Sequence, residues 1–177
     1  MIRFFATFVL LLASLFAVEL TPFAQRLFVM PWTDALAQLS TGLITLFDPH
    51  VVASGKVIRS TQNGFAVAIE AGCNGVEATL VLLAAMLAFP APWWSKIKGI
   101  AAGVVAVQGL NVVRVISLFY IGQWNREAFE WAHLYVWQAL IMLDVLVVWL
   151  LWVRMLPPDD RDATPPLPPP RAAIASA

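Results

Sequence analysis

The chain has 177 residues, 60% of them hydrophobic and 12% charged, with a mean hydropathy of +0.78 and a formal net charge of zero. A soluble domain is nearer half apolar and a quarter charged, so this is the composition of a membrane protein, and its balanced charge offers nothing to nucleic acid. A lone cysteine excludes an internal disulfide, and with two histidines it is poor material for a structural zinc site; no metal or cofactor is expected.

Residues 4–20 are almost purely apolar behind Arg3 and read as a first membrane helix at the short limit for spanning. A cleaved signal peptide is the rival reading, but Leu15 spoils the small-x-small site that cleavage after Ala17 would need. Residues 21–46 are mixed and broken by Pro22 and Pro31. Thr33 or Asp34 is placed to cap a short amphipathic helix with Leu36, Leu39, Leu43 and Leu46 or Phe47 on its apolar face, lying on the membrane surface or against the bundle.

Residues 51–70 read as a β-hairpin. Val57-Ile-Arg and the alternating Phe65, Val67 and Ile69 are the strands, and Asn63-Gly64 is the turn. An open sheet edge cannot be satisfied in lipid, so the hairpin belongs outside the bilayer. It leads directly into Glu70-Ala-Gly-Cys-Asn-Gly-Val-Glu77, the stretch that holds Cys73. Three further apolar helices follow over about 75–90, 97–121 and 133–155, with Trp93 and Trp94 suited to an interface between the first two. The tail over 157–177 is rich in proline and charge and is expected to be disordered on the cytoplasmic side. The expected fold is therefore mainly α, a polytopic bundle of about four transmembrane helices with a small extracytoplasmic hairpin. It forms one membrane-embedded domain over 1–156. Arg3, Lys96, Lys98, Arg154 and Arg161 fall on one side if four helices alternate, which makes that side cytoplasmic.

On this topology the chemistry-bearing residues share a depth. Cys73 stands at the outer start of one helix and His133 at the outer start of another. Arg114 lies about 12 Å below Gly122 by helical rise, within reach by snorkelling. A helix N-terminus lowers a thiol's pKa, a histidine can accept its proton and return it to a leaving amine, and an arginine can stabilise a tetrahedral oxyanion. Each residue also has a plainer role open to it. Cys73 fits as a small buried hydrophobe, Arg114 as an ion-pair partner of Glu77, and His133 as an interfacial cap, while Asp144 has Gln108 as a bonding partner across helices.

Ala71-Gly-Cys-Asn-Gly-Val-Glu77, then Asn111-Val-Val-Arg114, then His133 resemble the three motifs of the exosortase/archaeosortase family, and Asn74 makes the chain most similar to exosortase H. The resemblance runs from about Gly55 to Leu151. It implies a catalytic Cys73, Arg114 and His133 supported by Asn74, Glu77 and Asn111. It also implies a membrane cysteine protease or transpeptidase of the cell inner membrane with its site facing the periplasm. The implied partners are the lipid bilayer and secreted proteins that end in a short motif, a transmembrane helix and a basic tail. Many members have Ser or Thr after the cysteine, and larger ones have about eight spans. The alternative is a non-enzymatic membrane subunit or scaffold whose polar residues only join helices.

Overall fold

The computed structural model describes residues 2–156; the tail expected to be disordered lies outside them. Seven helices and one sheet follow in the order α1 (Ile2–Glu19), α2 (Pro22–Ala24), α3 (Met30–Ile44), β1 (Val51–Ser54), β2 (Val57–Ser60), β3 (Ala66–Ala68), α4 (Val76–Ala88), α5 (Trp93–Trp124), α6 (Arg126–Trp131) and α7 (Trp137–Arg154). A π-helical turn joins α2 to α3 over Gln25–Val29, and another joins α6 to α7 over Ala132–Val136. The protein is thus a mainly helical, polytopic membrane protein with a small antiparallel sheet.

Three helical segments are long and apolar enough to cross a bilayer: Ile2–Glu19, Trp93–Trp124 and the continuous Arg126–Arg154. The helix expected over 75–90 is shorter. Its 13 residues reach about 20 Å, less than a hydrocarbon core of about 30 Å, because Pro90 and Pro92 end it early. By contrast α5 has 32 residues and is about 48 Å long, so it reaches well beyond the bilayer core.

That extra length divides the molecule into two cores strung along α5. In the apolar half, Val107 of α5 packs with Ala78, Leu82 and Met86 of α4 and with Ile141, Val145 and Trp152 of α7. Gly103 lets this packing close, since a Cβ there would stand 2.6 Å from Leu82. Here α1 leans against α4 with most of its surface open, as a lipid-facing helix should be. In the other half, Val112, Val115 and Phe119 of α5 pack with Leu36, Ala37 and Ile44 of α3, with Val51 and Ile58 of the sheet and with Ile69 just after β3.

Of the two placements expected for this segment, on the membrane surface or against the bundle, the structure shows the second: it packs into this core. Its apolar face is also rotated from the expected one. Leu36, Ala37, Ser40, Thr41 and Ile44 are buried, whereas Leu39, Leu43, Leu46 and Phe47 are exposed. The helix runs on from the π turn and begins at Met30, and the face it buries is the one that meets α5 and the sheet.

The expected hairpin gains a third strand. β1 pairs with β2 through a tight turn at Gly55, and β2 pairs with β3 across the Asn63-Gly64 loop, giving the order β1-β2-β3. Phe65 anchors β3 by packing on α5 at Gly122, where a Cβ would lie 2.4 Å from its ring. Asn63 ties the loop down by donating from Nδ2 to Gln123 Oε1 at 2.8 Å.

Candidate active site

Cys73, Arg114 and His133 meet where the two cores join. Cys73 Sγ lies 3.6 Å from His133 Nε2, and Arg114 Nη2 donates to the same sulfur at 3.5 Å. Their depth follows from helix length. The rise from Trp93 to Arg114 is about 32 Å, as is the rise from Arg154 back to His133, and both match one hydrocarbon thickness. With Trp93 and Arg154 at one interface, the cluster stands at the other.

The loop that carries the thiol is held from three sides. Asn74 is 1% exposed; its Oδ1 accepts from Val76 N at 3.0 Å at the start of α4, and its Nδ2 donates to Thr33 Oγ1 at 3.1 Å on α3. Trp32 Nε1 donates to the Asn74 carbonyl at 3.2 Å. Glu77 Oε1 accepts from Gly72 N at 2.6 Å. On the α5 side, Gln108 Nε2 donates to Gly75 O and to Thr79 Oγ1, each at 3.0 Å. Gly75 takes φ +74°, and a Cβ there would stand 2.8 Å from Gln108 Oε1, so conformation and space both require glycine.

Burial is the largest influence on the thiol and pushes its pKa above the ordinary value. The Arg114 guanidinium pulls it down, while the Glu77 and Glu70 carboxylates push it up. The lowering expected from a helix N-terminus is overridden. Cys73 sits outside the first turn of α4, and the Val76 amide that begins the turn is already bonded to Asn74. The thiol thus has a histidine on one flank and a buried guanidinium on the other, and burial favours its neutral form.

Arg114 is 2% exposed, and neither ion pair among the described residues involves it; these are Lys56–Glu70 and Arg126–Glu130. The alternative pairing with Glu77 is not made: Glu77 Oε1 accepts from the Gly72 amide, and its Oε2 is buried without a hydrogen-bond partner. Nor does Asp144 bond Gln108, whose amide nitrogen is taken up by the thiol loop. His133 is set by stacking: the Phe129 ring lies parallel to it, centroids 5.6 Å apart, and His133 Nδ1 is buried with no partner. Asn111, one turn from Arg114, is fully buried with both amide atoms unpaired. It joins the site by position, beside Gly75, and not by a hydrogen bond.

Sequence reasoning missed Trp32, Thr33 and Phe129. Phe129 stands four residues before His133, the spacing of a helical stack, and that signal was readable. Nothing in the sequence tied Trp32 and Thr33 to Asn74, some forty residues away.

A small cavity of about 40 Å³, room for about one water, opens onto the thiol between Val67, Ala68, Leu118, Phe129 and His133. Fold and cluster together define a polytopic membrane protein with a single thiol held between a histidine and a buried arginine.

The family model for transmembrane exosortases matches residues 2–153. The chain belongs to the transmembrane exosortase family, and that membership gives it a general role as a membrane transpeptidase in protein sorting. No curated protein and no solved structure matches it.

Proposed function

We propose that this protein is a cysteine peptidase or transpeptidase of the bacterial inner membrane that cleaves the C-terminal sorting signal of secreted proteins at its periplasmic face. The observation that carries the reading is the convergence of His133 Nε2 and Arg114 Nη2 on Cys73 Sγ, at 3.6 and 3.5 Å, in a member of the exosortase family.

With its proton on Nδ1, His133 accepts the thiol proton at Nε2 as the sulfur attacks the peptide carbonyl carbon. The carbonyl oxygen becomes an oxyanion, and Arg114 Nη2 donates to it from a cation that the buried site already holds in place. His133 returns the proton to the leaving amine, the C–N bond breaks, and a thioester to Cys73 remains. The departing fragment is the membrane helix with its basic tail. Water or an acceptor amine then attacks the thioester, with His133 again taking the proton, and the free thiol is restored. The raised thiol pKa fits this order of events, because proton transfer to His133 accompanies attack.

The test is co-expression with a secreted protein that ends in such a segment, helix and basic tail, followed by mass measurement of its new C-terminus. Wild type should yield a defined shortened product, and Cys73→Ala should yield none while persisting in the membrane. Identical processing by Cys73→Ala overturns the mechanism, since the chain has no second thiol.

A further inference from the structure

β3 is an edge strand, and the pairing register fixes which of its backbone groups are engaged. Ile69 N donates to Lys56 O, and Ser60 N donates to Phe65 O. Hydrogen-bonded pairs alternate along an antiparallel ladder, so Phe65, Val67 and Ile69 direct their N–H and C=O groups to β2. Ala66 and Ala68 direct theirs to the open side. On the other side of the sheet, β1 packs against α3. The edge presented by β3 is left free, and its outer face carries only the small side chains of two exposed alanines.

A groove of about 340 Å³ runs along this edge between β3 and α6, lined by Ala66, Ala68, Gly122, Arg126, Phe129 and Glu130. It adjoins the cavity of the thiol, sharing Val67, Ala68 and Phe129 with it. The direction of β3 is fixed against α5. Asn63 bonds Gln123 at the far end, Phe65 packs at Gly122, Ile69 packs with Val112 and Val115, and Cys73 meets Arg114. Over that span the chain descends about 14 Å toward the bilayer by the rise of α5.

We propose that the free edge of β3 is the docking strand for the substrate. On this proposal the extended segment just before the substrate's membrane helix adds to it in parallel, with its scissile carbonyl reaching Cys73 below Ala68. This rests on the proposed sorting function, which requires a substrate whose body is outside and whose helix enters the bilayer. Such a chain descends from N- to C-terminus in the same sense as β3. Unpaired edge amides and carbonyls are a template for strand addition, which holds an extended peptide largely without regard to its side chains. Ala66 and Ala68 each offer one N–H and one C=O, so the added strand gains up to four backbone hydrogen bonds. The small cavity at the thiol then selects a small side chain beside the scissile bond.

The experiment uses the full chain in membranes with a secreted reporter fused to a segment–helix–basic tail probe. In a Cys73→Ala background, Ala66→Cys and Ala68→Cys are each tested for disulfide formation with single cysteines scanned through the ten residues before the probe's helix. Parallel addition moves the preferred partner two residues closer to the helix for Ala68→Cys than for Ala66→Cys. A shift in the opposite sense, or cross-linking without register, overturns the proposal.

In the enzyme that keeps Cys73, Ala68→Pro removes an outward N–H without touching a bond to β2. It should lower processing at limiting probe by about tenfold or more, the scale of one or two lost hydrogen bonds, with abundance and Cys73 alkylation retained. If wild type processes the probe and Ala68→Pro does so equally well, strand addition falls and the enzymatic reading stands. If wild type leaves the probe intact while the two-residue register holds, the enzymatic reading falls and the docking edge stands.

Discussion

Replacing Arg114 with lysine separates two jobs that the guanidinium does at once. It pulls the Cys73 thiol pKa down through its charge, and in the proposed mechanism its Nη2, which donates to Sγ, also donates to the oxyanion. Lysine keeps the charge, but its chain ends one guanidinium C–N bond short, about 1.3 Å. At a site 2% exposed there is little freedom to recover that reach. Arg114→Lys should therefore leave the pH dependence of Cys73 alkylation near wild type and lower turnover by about a hundredfold or more. That is the scale of losing one oxyanion donor, about 2.7–4 kcal/mol.

Glu77→Gln is the comparison. Its carboxylate pushes the thiol pKa up, so its removal brings the thiol down, and alkylation should be faster at neutral pH. Its amide oxygen can still accept from Gly72 N, which keeps the loop in place. Turnover per folded enzyme should therefore stay within a few-fold of wild type. The assay pairs probe processing with iodoacetamide alkylation across pH, normalised to enzyme retained in the membrane. If Glu77→Gln proves the worse variant, or if Arg114→Lys fails only by disappearing from the membrane, Arg114 is a structural residue and the mechanism loses its electrophilic partner.

A membrane-impermeant maleimide added from the extracytoplasmic side should label Cys73 in intact cells or spheroplasts; labelling only after the cytoplasmic face is opened reverses the proposed orientation. Gly75→Ala should destabilise the protein by about 1–3 kcal/mol, measured as thermal loss of detergent-solubilised enzyme, because it forces a side chain onto φ +74° and into Gln108. Asn111→Leu should hold or raise that stability, since it removes an unpaired buried amide, yet lower turnover; unchanged turnover would deny Asn111 any part in the reaction. Because the fold favours the neutral thiol, the stability this contributes is present below the ordinary thiol pKa and fades as pH rises through the raised folded value, so wild type should lose stability relative to Cys73→Ala in alkali.

The membrane part of this fold was legible because its signals are local. Apolar run length, Pro90 and Pro92, and the pair Trp93–Trp94 mark helix ends without knowledge of neighbours. The shared depth of Cys73, Arg114 and His133 was legible for the same reason, since helical rise converts sequence distance into height. What sequence could not give was azimuth. Which face of α3 is buried depends on the sheet and the part of α5 that it meets only after folding, so of the expected apolar face Leu36 is in the core while Leu39 and Leu43 are exposed. The Arg114–Glu77 alternative was sound by charge and depth alone. It is not made: Glu77 Oε1 accepts from the Gly72 amide, a partner that exists only once Gly72 is in its turn, and Oε2 is buried without a hydrogen-bond partner.

The length of α5 explains why the site lies where it does. A helix that only spanned would end near Arg114, leaving the cation in water, where a guanidinium stabilises an oxyanion weakly. Carrying the helix on to Trp124 gives a surface on which α3 and the sheet build a second apolar core above the charge. Arg114 is then buried between the two cores, with Nη2 bonded to the thiol. The same core fixes β3 at the lip of the site and delivers the Cys73 loop from above, while α4 receives it below. Loss of the upper core should thus remove the site without removing the protein from the membrane, because the helices that hold it there pack through Leu82, Val107 and Val145 in the lower one.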